Sequence, residues 1–153
     1  MYYKEETYIM QPFGTVRAVL PGETTALPSV TIVRDEVIDG MAGTGGEAVS
    51  GVRLGGWVQY RCRLVSARRF AQRCGHQLLE GESAQDILHD ALRKALTTAF
   101  AETLCAYPEK GAAMHGAAWQ AGKNHAEDAL LDCGWKLTQF RPGRVEVHQE
   151  AMK

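Results

Sequence analysis

From Ser83 to Ala106 apolar residues recur in pairs, each pair four residues after the last. They are Ile87 and Leu88, Ala91 and Leu92, Ala95 and Leu96, Ala99 and Phe100, then Leu104. That spacing places them on one stripe of an α-helix. Asp86, Asp90, Arg93, Lys94 and Glu102 fall mainly off the stripe. Ser83 and Asp86 have the spacing of a capping-box-like start: the serine oxygen accepts from an orphan backbone N–H, and the carboxylate meets the positive helix end. Tyr107 followed by Pro108 stops the helix, because proline disfavours a helical residue before it. At about 1.5 Å per residue the helix runs roughly 35 Å, enough to cross a sheet. A single apolar stripe has to be covered, so the rest of the chain must supply a second layer.

Strands are the natural second layer. Gly14 to Leu20 reads as the first, closed by the turn signal Pro21-Gly22. Ser29 to Val33 is β-branched and reads as the second, extending through Val37 and Ile38. Residues 40 to 56 hold seven glycines and read as a flexible hairpin loop. They contain no Walker string, and no dinucleotide fingerprint opens a helix there. Trp57 to Val65 is the clearest strand: Val58, Tyr60, Cys62 and Leu64 point one way, and Gln59, Arg61 and Arg63 the other.

A short helical stretch follows, with Arg68, Arg69 and Arg73 beside Phe70, Ala71, Leu78 and Leu79. Residues 111 to 122 are rich in alanine and glycine and carry no clear period. A second helix is expected from Asn124 as its cap, with Glu127 in the first turn and Gly134 just past the end. A terminal hairpin is expected over 135–149, with Arg141-Pro142-Gly143-Arg144 as a type II turn. The expected fold is therefore a single α+β domain over residues 1–153. It has a mostly antiparallel sheet of about five strands, with the long amphipathic helix and shorter helices packed on one face.

Composition narrows the function. A net charge of −1 excludes a generally basic nucleic-acid binder and a strongly acidic DNA mimic. No apolar run approaches a membrane span, and Met1 to Glu6 lacks the pattern of a signal peptide, so a cytoplasmic protein is expected. Cys62, Cys74, Cys105 and Cys133 form no Cys-x-x-Cys pair and read as reduced thiols. No metal or cofactor is called for. An enzymatic reading would start from the histidines: His125 with Glu127 and Asp128, or His76 beside Cys74. The acids near His125 also fit plain helix capping, and Cys74 with His76 shows no third partner.

The basic segment is the most unusual feature. Arg53, Arg61, Arg63, Arg68, Arg69 and Arg73 lie between Glu47 and Glu80 with no acid among them. Guanidinium forks suit phosphate and carboxylate partners, so the segment reads either as a site for an anionic partner or as a solvated strand face. The partner would be nucleic acid or an acidic face of another subunit. Asp35, Glu36 and Asp39 could pair with some of these arginines.

The strand entered through Leu27-Pro28-Ser29-Val30, the glycine-rich stretch, the strand opening with Gly56-Trp57 and the capped Asp/Ala/Leu helix together resemble tail terminator and tail completion proteins of long-tailed bacteriophages. The resemblance covers roughly residues 15 to 105 and rests on order and texture. The chain departs from the family in having no clear N-terminal helix and in adding the stretch 106–124. The resemblance implies a non-enzymatic homo-oligomeric ring, cytoplasmic or in the virion, with basic and acidic segments meeting head to tail between subunits.

Overall fold

The computed structural model describes residues 5–24, 26–44, 52–106 and 112–149. Among these residues six strands form two antiparallel sheets of three. In the first, β1 (Glu5–Met10) lies between β2 (Val16–Ala18) and β3 (Ser29–Val33). In the second, β5 (Val52–Leu64) lies between β4 (Val37–Thr44) and β6 (Trp135–Gln149). The helices are α1 (Ala67–Leu79), α2 (Ala84–Ala106) and α3 (Ala112–Asp132). The α+β class holds, but the single five-stranded sheet does not.

The split falls at Arg34 and Asp35. Asp35 takes a left-handed φ of 56°, which aspartate tolerates better than most residues. The expected extension of the second strand through Ile38 is thereby broken: Val33 ends one sheet and Val37 begins the other. β1 has no counterpart among the expected strands. It buries consecutive residues, Tyr8 and Ile9, so it shows no simple alternation. The expected strand from Gly14 shrinks to Val16–Ala18, because Pro12–Gly14 is a 3-10 turn.

Three further expectations are corrected by β5 and α3. The glycine-rich stretch is strand over 40–44 and 52–56, while residues 45–51 of the expected loop lie outside the described residues. Several of its glycines sit where neighbours fill the space: a Cβ on Gly40 would lie 2.6 Å from the Tyr60 hydroxyl, and one on Gly56 2.8 Å from the Trp119 ring. The terminal hairpin is instead one continuous strand. β5 is long enough to pair with all of β6, from Val52–Gln149 to Leu64–Trp135, and Gly143 lacks the positive φ a type II turn requires. Gly143 and Arg144 form a bulge opposite Trp57. Pro142 is tolerated because β6 is an edge strand. Finally, α3 begins well before Asn124, since alanine is the best helix former. Asn124 is therefore interior, and its side chain accepts from Gln120 Nε2 at 3.1 Å instead of capping.

The long helix behaves as its sequence predicts. The Asp86 amide donates to Ser83 Oγ at 3.1 Å. Ile87, Leu88, Leu92, Ala95, Leu96, Ala99 and Phe100 are all buried. The stop at Tyr107-Pro108 lies outside the described residues. α1 covers the first sheet, α2 lies over β4 and β5, and α3 packs against both α2 and β6. Edge-to-face pairs tie the layers, Phe70 with Trp135 at 5.3 Å and Phe100 with Trp119 at 5.0 Å. Because the helices take the inner face of the second sheet, its outer face is left to solvent.

Candidate interaction face

Strand alternation sends Ile38, Ala42, Val58, Tyr60, Cys62 and Leu64 inward to the core. Their neighbours must then point outward, and the register sets them side by side. One row is Val37, Arg63 and Lys136, the next is Asp39, Arg61 and Gln139, and a third is Met41, Gln59 and Arg141. The last pairs Gly43 with Trp57, whose ring lies where a Gly43 Cβ would be. Val37, Met41 and Trp57 are 52%, 59% and 58% exposed, so this face holds three large apolar side chains in water. Such a patch amid polar residues is the usual mark of an interaction surface.

The same face is basic. Arg61, Arg63, Lys136 and Arg141 stand on it against two acids, Asp39 and Glu146. Arg61 Nε donates to Asp39 Oδ1 at 2.6 Å, as the sequence suggested. Both partners are more than half exposed, so the pair adds little stability. Arg63 and Lys136 form no ion pair among the described residues. Helices α2 and α3, on the opposite side of the sheet, expose Asp86, Asp90, Glu102, Glu127, Asp128 and Asp132 against Arg93, Lys94 and Lys123. The subunit is thus polarised, with a basic sheet face on one side and an acidic helical side on the other.

The arginines singled out from sequence divide into two groups. Arg61 and Arg63 share the sheet face. Arg53 lies in β5, and its side chain is not among those described. Arg68, Arg69 and Arg73 belong to α1, which packs on the other sheet. Arg68 reaches the Val16 carbonyl at 3.4 Å and lies over the Tyr8 ring, while Arg73 pairs with Asp132 at 3.3 Å. Sequence reasoning missed Lys136 and Arg141. Reading 135–149 as one strand would set Lys136 outward, but Arg141, five residues on, shares its face only through the bulge at Thr138 opposite Arg61 and Cys62.

The histidine groupings from which an enzymatic reading would start are not brought together. His125 lies inside α3, not in a first turn, and its Nε2 meets Glu102 Oε2 at 3.1 Å on an exposed helix–helix edge. Glu127 turns instead toward Lys123 at 3.9 Å. His76 is exposed while Cys74 is buried, so they face apart. Among the described residues no cluster of three His, Cys, Asp or Glu side chains could hold a metal ion, and no helix is long and apolar enough to cross a membrane. The chain matches no family model and no curated protein.

Proposed function

We propose that this protein is a non-enzymatic assembly subunit that associates with copies of itself head to tail. The basic outer face of the β4–β5–β6 sheet on one copy seats against the acidic α2–α3 side of the next. The observation that carries this reading is the polarised charge of the subunit, combined with the exposed Trp57, Met41 and Val37 on its basic side. Tryptophan and arginine are the residues that most often dominate interface energy. Two different surfaces meeting make a heterologous contact, which closes into a ring when the rotation allows. A ring subunit is also what the resemblance to phage tail terminator and tail completion proteins implies.

Mass photometry and light scattering across a salt series test this. At low salt and micromolar concentration the particle mass is expected to be a multiple of 16.8 kDa. It should fall toward the monomer as salt rises, because exposed charges are screened. Arg63→Glu with Lys136→Glu should give monomer even at low salt. A wild-type monomer at low salt and micromolar concentration refutes the proposal.

A second reading rests on Arg63 and Lys136, which have no acidic partner among the described residues and stand on the same face as Trp57. On this reading the face takes a nucleic-acid backbone. Fluorescence anisotropy with a labelled single-stranded oligonucleotide separates the two. Binding that weakens steeply between about 50 and 200 mM salt favours nucleic acid. No binding at low salt removes it.

A further inference from the structure

We propose that Cys74 and Cys133 form a peroxide-reactive dithiol, with Cys133 as the attacking sulfur and Cys74 as the resolving one. The two come from different elements. Cys74 lies within α1, and Cys133 directly follows α3. Both line one cleft of about 410 Å³ between the three helices. Their side chains face that cleft and interact across it. The residues beside them bridge the same gap, with Arg73 Nη2 3.3 Å from Asp132 Oδ1. The ion pair and the shared cleft wall therefore keep the two segments side by side.

Burial divides the roles. Cys74 is 4% exposed, whereas Cys133 is half-buried on the cleft wall, where a small solute can reach it. The Cys74 thiol beside it is the main cause lowering the Cys133 pKa to about 7, and Arg73 acts in the same direction. Burial and Asp132 oppose this. Asp90 and Lys94 of α2 and His125 of α3 line the same cleft. The same interaction, with burial, pushes Cys74 upward, so it stays a thiol. A thiolate next to a protonated thiol is the arrangement that oxidation requires, because the thiolate is the nucleophile.

The chemistry closes without a cofactor. The Cys133 thiolate attacks one oxygen of hydrogen peroxide. The O–O bond breaks, and the hydroxide released takes a proton and leaves as water. The product is the Cys133 sulfenic acid. The Cys74 sulfur then attacks the Cys133 sulfur as the S–O bond breaks, and its proton departs with the oxygen as a second water. Two thiols and one peroxide give one disulfide and two waters; the sulfurs are oxidised and the peroxide reduced. An external dithiol reverses the bond by exchange.

The test uses the full chain, reduced, freed of reductant and treated with hydrogen peroxide. The expected product is a Cys74–Cys133 cross-linked peptide and an intact mass lower by about 2 Da, restored by dithiothreitol. Cys105→Ser removes the exposed competing thiol and should leave the cross-link intact. In Cys74→Ser the reaction should stop at the Cys133 sulfenic acid, which dimedone traps. Should Cys74→Ser fail to fold, the wild type carries a second readout. Alkylation of Cys133 by iodoacetamide, followed against pH, should have its midpoint near 7 and not near 9. Dimers linked only through Cys105, or Cys133 oxidised to sulfinic acid with Cys74 untouched, overturn the proposal. An alkylation midpoint at the ordinary thiol value does the same.

Discussion

Gly134→Ala is expected to destabilise the fold far more than the loss of a helix-terminating glycine would. Gly134 has a φ of +86°, and an alanine there costs roughly 1–2 kcal/mol in backbone strain. Its surroundings add more. A Cβ would lie 2.4 Å from the Ser66 carbonyl oxygen and 3.2 Å from the Phe70 nitrogen, both backbone atoms that cannot rotate away. The Gly134 carbonyl also accepts from the Val65 and Ser66 amides at 2.9 and 3.0 Å. Ser66 Oγ in turn caps α1 through the Arg69 amide at 3.2 Å. Relieving the overlap means moving the start of α1 away from the start of β6, which loosens two backbone hydrogen bonds and a cap. At about 0.5–1.5 kcal/mol per bond and about 1 for the cap, that adds roughly 2–4 kcal/mol. The total is therefore roughly 3–6 kcal/mol. Gly81→Ala is the internal control: its φ is +94°, but nothing lies within 4 Å of its Cβ position. It should cost only the backbone strain, about 1–2 kcal/mol. Urea unfolding of both variants measures the difference. Equal shifts in the unfolding midpoint would show that the close approach of Gly134 to Ser66 contributes nothing.

Three further outcomes follow from the core and its ionisable groups. Leu92→Asp should unfold the domain, because Leu92 is fully buried and the new carboxylate has no partner, whereas Arg93→Asp on the exposed side should stay within about 0.5 kcal/mol; circular dichroism compares them, and equal losses would mean the helix register is wrong. Tyr60→Phe should be neutral or stabilising by about 1 kcal/mol, because the Tyr60 hydroxyl is buried without a hydrogen-bond partner among the described residues, and a higher urea midpoint would show it. Burial pushes the Tyr8, Tyr60 and Cys62 pKa values up to about 12, with the hydrogen bond to Glu6 adding to the effect at Tyr8. The folded protein keeps these protons where the unfolded chain has released them, so the urea midpoint should fall as pH rises from about 9 toward 12. A midpoint unchanged over that window would contradict the burial of these three groups.

The candidate face was only partly legible in the sequence. Arg61 and Arg63 stood out through the alternation of β5, and the Asp39 pairing followed from its nearby acids. Lys136 and Arg141 did not, because Pro142-Gly143 has the composition of a turn. The long β5 strand held that segment straight by offering ladder partners along its whole length. The Cys74–Cys133 contact had no signal at all, since the two residues share neither a motif nor a spacing. Asn124 misled for a local reason: asparagine favours caps, yet it sits inside a helix whose alanines carry it through.

What the sequence determined by itself is what a period can carry. The stripe of α2, its Ser83 start and the two faces of β5 all depend on residues within a few positions of one another. The partition into two sheets, the single long β6 and the gathering of Arg61, Arg63, Lys136, Arg141 and Trp57 on one face were decided by tertiary structure. A strand finds its hydrogen-bonding partner across the fold, so which side chains become neighbours on a sheet is set by that pairing and not by the local pattern.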